Sequence, residues 1–196
     1  MNYGGFNLIY SDDWLYVHIP KNGGTNFKNR ALEQGATLCD NHDEIYIKHQ
    51  PAEHWIDEKL VGDKQIITTI REPFRRMVSL CRFIREVRNP SFPGFTMDGI
   101  QMLKGVELAA PAKFHPLWDQ GKWMNEKTKW FKIDSSEDLK EMEKLTGIKF
   151  KDTKDNSQDY SDKPWYDYYN EELEDTVRSL FKNDFKRFNY PDFITR

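Results

Sequence analysis

Two short segments of the chain carry residues suited to binding phosphate. The first, residues 18–26, reads His-Ile-Pro-Lys-Asn-Gly-Gly-Thr-Asn. Adjacent glycines let backbone N–H groups approach an anion, and the N-terminus of a following helix adds about half a positive charge. Lys21 supplies a full charge and Thr25 a hydroxyl donor. The segment predicts an anion-binding loop, but not a Walker A loop, because Lys21 precedes Gly23 and Gly24 instead of following them.

The second segment, residues 70–79, reads Ile-Arg-Glu-Pro-Phe-Arg-Arg-Met-Val-Ser. Pro73 is typical of the first turn of a helix. Arg76 and Ser79 are three residues apart, so they share one face of that helix. Arg71 stands just before the helix, and arginine forks bind phosphate in a bidentate manner. We therefore expect Arg71, Arg76 and Ser79 to converge on one phosphate group.

Both segments are expected at the junction of a strand and a helix. Apolar, β-branched stretches predict strands, and capping residues with apolar stripes predict helices. The predicted strands cover residues 15–19, 44–48, 65–70 and 130–133. The predicted helices cover residues 25–34, a stretch after Pro51, residues 73–88, a stretch from Ser135 or Ser136 to Gly147, and a last helix from Asn170 carrying Leu173, Val177, Leu180, Phe181 and Phe185 on one stripe.

Alternating strands and helices predict an α/β protein with a central parallel sheet flanked by helices. In such sheets ligands bind at the carboxyl ends of the strands. The first and third predicted strands end next to the two phosphate-binding segments. The sequence therefore predicts one site that uses both segments.

Length and composition narrow the class of protein. A chain of 196 residues fits a single domain, and a net charge of -3 argues against a surface that binds nucleic acid. Two cysteines, Cys39 and Cys81, imply no disulfide framework. No leader peptide and no apolar run long enough to cross a membrane is visible, so we expect a cytoplasmic protein without a membrane partner. His42, His49 and His54 lack a recognised metal-ligand spacing, and we expect no metal.

The two segments together resemble the nucleotide-binding motifs of sulfotransferases that use PAPS (3'-phosphoadenosine 5'-phosphosulfate). Residues 21–25 are similar to the family's 5'-phosphosulfate loop, with Asn22 in place of the usual Thr. Residues 71–79 are similar to its 3'-phosphate motif, with Glu72 in place of Asp. The Asn156-Ser157 pair and residues 184–190, Asp-Phe-x-x-Phe-x-Tyr, are similar to the carbohydrate-type branch.

The resemblance implies a P-loop-like three-layer sandwich that binds PAPS. It implies transfer of a sulfuryl group to an acceptor hydroxyl, on a carbohydrate or a small molecule. Animal members of the carbohydrate branch usually carry a membrane anchor and a secretory address; because neither is visible here, we expect a soluble bacterial or viral form of the family. Residues 89–121, with Gly99, Gly105, Pro111 and Pro116, are predicted to be the least regular stretch and are expected to form an acceptor-binding insertion. The cosubstrate is expected to contact Lys21, Asn22, Gly23, Gly24, Thr25, Asn26, Arg71, Arg76 and Ser79.

The resemblance also implies two catalytic residues. Lys21 is expected to stabilise the leaving phosphate. His49, in the segment Lys-His-Gln-Pro at 48–51, is expected to be the base, since a related segment carries a histidine in glycan 2-O-sulfotransferases; Glu44 and Glu53 are alternative bases. Two other functions stay open: a kinase-like phosphotransferase, which needs a carboxylate that binds Mg²⁺, and a non-catalytic nucleotide-binding module.

The base assignment predicts a pH dependence. If His49 is the base, the rate falls on the acid side as the imidazole protonates, near its ordinary pKa of about 6.5. The His49→Ala variant should lose that limb and much of the rate while it still binds nucleotide. The measurement is rate against pH for His49→Ala, Glu44→Gln and Glu53→Gln on one acceptor. A full rate in His49→Ala, with a loss in one Gln variant, would move the assignment to that glutamate.

Overall fold

The protein is described by a computed structural model that covers residues 9–38, 61–105, 115, 117–150 and 163–194. These residues form a five-stranded sheet with the strand order β3-β1-β2-β4-β5. The strands are β1 (Ile9–Tyr10), β2 (Trp14–Val17), β3 (Thr37–Leu38), β4 (Gln65–Ile70) and β5 (Lys129–Lys132).

The sheet is parallel on one side and antiparallel on the other. β2 pairs with β4 and β4 with β5 in parallel, whereas β1 is antiparallel to both β2 and β3. The predicted parallel sheet is confirmed for β2, β4 and β5 and is wrong for the other edge. Only residues 11–13 join β1 to β2, a link that suits a hairpin, while a parallel connection needs a crossover of a dozen or more residues.

Six α-helices lie within the described residues. They are α1 (Gly24–Glu33), α2 (Pro73–Phe83), α3 (Met97–Lys104), α4 (Ser136–Thr146), α5 (Glu171–Leu180) and α6 (Lys182–Phe188). A π-helical turn, Ile84–Arg88, continues α2, and short 3-10 turns cover Gln120–Trp123 and Trp165–Tyr168.

Both faces of the sheet are covered. On one face, Trp14, Tyr16, Ile67 and Phe131 pack with Phe27 and Ala31 of α1 and Met142 of α4. On the other face, Leu15, Val17, Ile66 and Ile70 pack with Trp123, Met124 and Phe188 of α6. A further cluster joins α2, α3, α5 and α6. The described residues therefore form an α/β fold with helical layers on both sides of the sheet.

Two predicted elements differ from the structure. Residues 89–121 are not irregular throughout, because α3 lies within them. Gly99 obscures this helix in the sequence, but a Cβ at Gly99 would lie 2.1 Å from the Gly94 carbonyl oxygen, so close packing explains the glycine. The predicted last helix is two helices, because Phe181, with φ -112° and ψ 27°, separates α5 from α6.

Other predictions agree with the structure or lie outside it. Ser135 is the N-cap of α4 and Gly147 ends it, while Asn170 caps α5. The predicted strand at 44–48 and the helix after Pro51 lie outside the described residues. In the part of the chain that the structure describes, no helix is long and apolar enough to cross a membrane.

Candidate functional site

The first predicted anion-binding loop connects β2 to α1 at the carboxyl end of the parallel strands. Two of its residues have left-handed backbone conformations, with φ +69° at Lys21 and +75° at Gly23. Glycine adopts this conformation freely, but for lysine it carries a penalty of about 1–2 kcal/mol. Non-glycine residues in such conformations concentrate at functional sites. The loop is thus held in a shape that the Lys21 backbone does not itself favour.

The N-terminus of α1 is available to an anion. Gly23 is its N-cap and, having no side chain, makes no capping hydrogen bond. The first N–H groups of a helix have no intrahelical acceptor. The side chain of Thr25 in this first turn is exposed, and the Asn26 N–H donates to the Gly23 carbonyl at 3.0 Å. The N-terminal amides and the helix dipole therefore favour negative charge at this end of α1.

The second helix junction differs, because the protein supplies its own anion there. The carboxylate of Glu72 accepts hydrogen bonds from the N–H groups of Phe74, at 3.0 Å, and Arg75, at 2.8 Å. Burial raises the pKa of Glu72 to about 7, against the lowering effect of these two bonds. The N-terminus of α2 is thus capped internally, and any phosphate bound near it must use side chains.

Lys21 and Arg71 meet between the two junctions. The Arg71 guanidinium, through Nη1, donates to the Lys21 carbonyl oxygen at 3.4 Å. Lys21 Nζ lies 4.3 Å from the ring centre of Phe83, at the end of α2. Burial and, next, the charge of Arg71 lower the pKa of Lys21 to about 8, with a partial offset from Glu86. Two cations that disfavour each other's charge form a place where a bound anion is stabilised.

Arg76 lies in the interior. It is 2% exposed, its Nε donates to the Pro20 carbonyl at 3.3 Å, and its Nη1 donates to the Trp118 carbonyl at 3.2 Å. Its guanidinium also lies 5.4 Å from the ring centre of Phe181. This placement argues against direct phosphate contact by Arg76 and indicates that Arg76 braces the first loop through Pro20. Ser79, one turn further along α2, is 5% exposed.

A buried polar network connects the two loops, and no sequence pattern indicates its centre. Asn22 is fully buried and its Nδ2 donates to Thr69 O at 2.9 Å and to Gln120 Oε1 at 2.6 Å. The Thr69 hydroxyl donates to Asn22 O at 2.6 Å. Asn22 is therefore a structural residue of the loop, while Gln120 gave no local signal, because it is a lone amide in a stretch without periodicity.

The C-terminal part of the chain reaches the same network. Asp184 of α6 is 1% exposed, and it accepts from the Gln120 backbone N–H at 2.8 Å and from Gln120 Nε2 at 3.1 Å. Burial raises the pKa of Asp184, and the charge of Arg76 opposes that rise. The resemblance drew attention to Asp184 as part of a terminal motif, and its contacts show that it anchors Gln120.

His18 and Gly24 are packed against each other. A Cβ at Gly24 would lie 2.3 Å from His18 Cδ2 and 2.5 Å from its Nε2. Position 24 therefore requires glycine for reasons of space, while position 23 requires it for its backbone conformation. His18 is half-buried at the base of the loop.

The structure brings together the predicted loop residues and Arg71, but it does not describe the predicted base. His49 and its alternatives, Glu44 and Glu53, lie outside the described residues, as does Cys39; Cys81 is a buried free thiol. Among the described residues, no group of three or more His, Cys, Asp or Glu side chains is placed to hold a metal ion.

Comparisons with family models, with curated proteins and with solved structures found no match to this chain. Any functional conclusion therefore rests on the motifs and on the geometry of the site.

The His18–Gly24 contact predicts a specific sensitivity. The Gly24→Ala variant must displace the His18 ring, so the free energy of unfolding should fall by about 1–3 kcal/mol. Gly105→Ala is the control, because φ at Gly105 is -82° and the nearest atoms to its Cβ lie 3.7 Å away. Urea unfolding of both variants checks this. Equally small losses of unfolding free energy in both variants would contradict the contact. The double variant Gly24→Ala, His18→Ala should lose less unfolding free energy than the two single variants added together.

Proposed function

We propose that the protein is a sulfotransferase that uses PAPS as donor and an acceptor hydroxyl on a carbohydrate or a small molecule. The observation that carries the proposal is the meeting of Lys21 and Arg71 beside the uncapped N-terminus of α1. Parallel pairing of β2 with β4 brings together two segments that are some fifty residues apart in sequence. The proposed fold is P-loop-like, with the nucleotide at the carboxyl ends of these strands.

The residues of the site fit the charge of such a donor. The helix N-terminus, the ammonium of Lys21 and the guanidinium of Arg71 together provide donors for more than one phosphate group. In the proposal the 5'-phosphosulfate of the donor contacts the loop between β2 and α1, through Lys21, Gly24 and Thr25. The 3'-phosphate contacts Arg71, while the buried Arg76 acts through the loop that it braces. Ser79 is also buried, one turn further along α2.

When bound, PAPS supplies a sulfuryl group attached to a good leaving group, a phosphate oxygen. Lys21 stabilises the negative charge that develops on the oxygen bridging sulfur and phosphorus, an effect worth about 3 kcal/mol for one donor. His49, in the proposal, takes the proton of the acceptor hydroxyl as its oxygen attacks sulfur in line. Because the leaving group takes up negative charge as the bridging bond breaks, Lys21 must be protonated to act.

The proposal predicts selective stabilisation by nucleotide. Adenosine 3',5'-bisphosphate, the product of the donor, should raise Tm by about 5 °C or more at a hundredfold excess over its Kd, since it binds only the native state. AMP, which lacks the 3'-phosphate and therefore binds more weakly, should raise Tm much less at the same concentration. Arg71→Met should reduce the bisphosphate shift to that of AMP. Equal shifts from both nucleotides on the wild-type protein would contradict the 3'-phosphate site.

Transfer itself separates the proposal from its rivals. Incubation with radiolabelled PAPS and a panel of carbohydrate and phenolic acceptors should label at least one acceptor. A kinase-like enzyme would instead transfer phosphate from ATP in the presence of Mg²⁺, and a non-catalytic module would bind nucleotide without labelling any acceptor. Labelling from ATP alone would overturn the proposed function.

Lys21 should be important for turnover and unfavourable for stability. Lys21→Met is expected to lower turnover about a hundredfold or more. In the folded wild type the pKa of Lys21 is about 8, below the ordinary 10.5. Between pH 8 and pH 10.5 the folded state therefore binds fewer protons than the unfolded state. The stability of the wild type relative to Lys21→Met should therefore rise as the pH increases from about 8 to 10.5, and below pH 8 the variant should be at least as stable.

Urea unfolding of both proteins between pH 7 and pH 10.5 measures this difference. Lys163→Met is the matched control, because Lys163 Nζ lies 4.4 Å from the ring centre of Tyr168 and Lys163 is outside the site. A near-normal turnover in Lys21→Met would contradict its catalytic role, and a stability difference that does not change with pH would contradict the lowered pKa.

A further inference from the structure

We propose that Gln120 is a positioning residue that holds the two anion-binding segments at a fixed separation, so that one ligand with two phosphate groups engages both. The inference rests on the proposed function for the identity of that ligand. The Gln120 side chain lies at neither of the two places where a phosphate is proposed to bind. It contacts instead Asn22 and the backbone of Arg71, which belong to the two segments that form those places.

The Gln120 side chain uses its complete hydrogen-bonding capacity. Its Oε1 accepts from the Arg71 N–H at 2.9 Å and from Asn22 Nδ2 at 2.6 Å. Its Nε2 donates to the Arg71 carbonyl at 2.9 Å and to Asp184 Oδ2 at 3.1 Å. A primary amide has two acceptor sites and two donors, and all four are used. The assignment of oxygen and nitrogen is also fixed, because exchanging them would place Nε2 against two donors.

These contacts join both motifs to a third part of the chain. Bonding to both the N–H and the C=O of Arg71 makes the side chain act like one more residue of a strand beside the end of β4. The bond to Asn22 fixes the α1 loop at the residue after Lys21. Because Gln120 is fully buried and anchored by Asp184, loss of its hydrogen bonds leaves several buried polar groups unsatisfied.

A rigid separation matters because a ligand with two phosphates gains from binding both sites at once. The second phosphate binds at a high effective concentration only when the spacing of the two sites matches the ligand. The bisphosphate advantage is the ratio of the Kd of a monophosphate to the Kd of the bisphosphate. Gln120 therefore raises this advantage without changing the affinity of either phosphate site alone.

The test compares Kd values of adenosine 3',5'-bisphosphate, AMP and adenosine 3'-monophosphate for the wild type and Gln120→Met by calorimetry. We expect each monophosphate affinity to stay within about threefold, while the bisphosphate advantage falls about tenfold or more. An unchanged advantage in Gln120→Met overturns the inference alone. A parallel loss for all three nucleotides also overturns it, since that result indicates general structural damage. Absence of any advantage in the wild type overturns the proposed function and, with it, the inference.

A matched control is available at the opposite end of α1. Gln34 bonds to Lys149 as Gln120 bonds to Arg71: Oε1 accepts from Lys149 N at 2.9 Å, and Nε2 donates to Lys149 O at 3.1 Å. The Gln34→Met variant should keep the bisphosphate advantage. Loss of the advantage in Gln34→Met would show that the effect is not specific to the loops, and would overturn the inference.

Gln120→Glu keeps the test decisive if Gln120→Met does not fold. Its ionised carboxylate still accepts from Arg71 N but donates to neither Arg71 O nor Asp184, so the bisphosphate advantage should be reduced at neutral pH. Protonation restores one donor, and the adjacent Asp184 carboxylate favours protonation. The advantage relative to wild type should therefore recover as the pH falls. A variant whose advantage equals that of the wild type at every pH would overturn the inference.

Discussion

The parallel pairing of β2 with β4 is the constraint on which the site depends. The register sets Val17 opposite Thr68, so the chain leaves both strands at the same edge of the sheet. Lys21 and Arg71 follow those strand ends and are forced together although like charges repel. Apolar packing on both faces of β2 and β4 supplies the free energy that holds this arrangement, because Leu15, Ile67 and Ile70 are fully buried.

The site keeps several groups in states that they would not adopt in isolation. Lys21 has a left-handed backbone and a depressed pKa, Glu72 has a raised pKa, and Arg76 is a buried guanidinium. Each of these is unfavourable for folding when considered alone. Compensation comes from the N–H groups of Phe74 and Arg75 at Glu72, from two backbone carbonyls and the ring of Phe181 at Arg76, and from the ring of Phe83 at Lys21. Such a concentration of strained and buried polar groups is typical of a binding site and unusual for a plain structural core.

The two helix junctions have different roles because of one side chain. Glu72 satisfies the N-terminus of α2 with a carboxylate, whereas Gly23 leaves the N-terminus of α1 without a side-chain cap. A side-chain carboxylate therefore occupies the helix amides at the second junction but not at the first. In the proposed function the two anionic groups of the donor are accordingly recognised differently, one by backbone amides and charge and the other by the guanidinium of Arg71.

Local sequence determined much of this protein. Apolar and aromatic residues specified β2 and β5, and β-branched residues specified β4. Pro73 and Glu72 specified the start of α2, and Ser135, Gly147 and Asn170 specified helix ends. These features depend on neighbours within a few residues, which a sequence displays directly. The glycines and Lys21 of the first loop were recognisable for the same reason, and so was Arg71 at the end of its strand.

Only the tertiary structure decided which of these residues stay partly exposed and which are buried. Arg76 has the same local signal as Arg71, but its contacts with the rings of Phe181 and Trp123 and its hydrogen bond to the Trp118 carbonyl place it in the interior. The antiparallel edge, the separation of α5 from α6 and the role of Gln120 also depend on contacts between segments that are distant in the chain. A lone glutamine carries no pattern in sequence, because its partners, Asn22, Arg71 and Asp184, become neighbours only when the sheet and α6 are assembled.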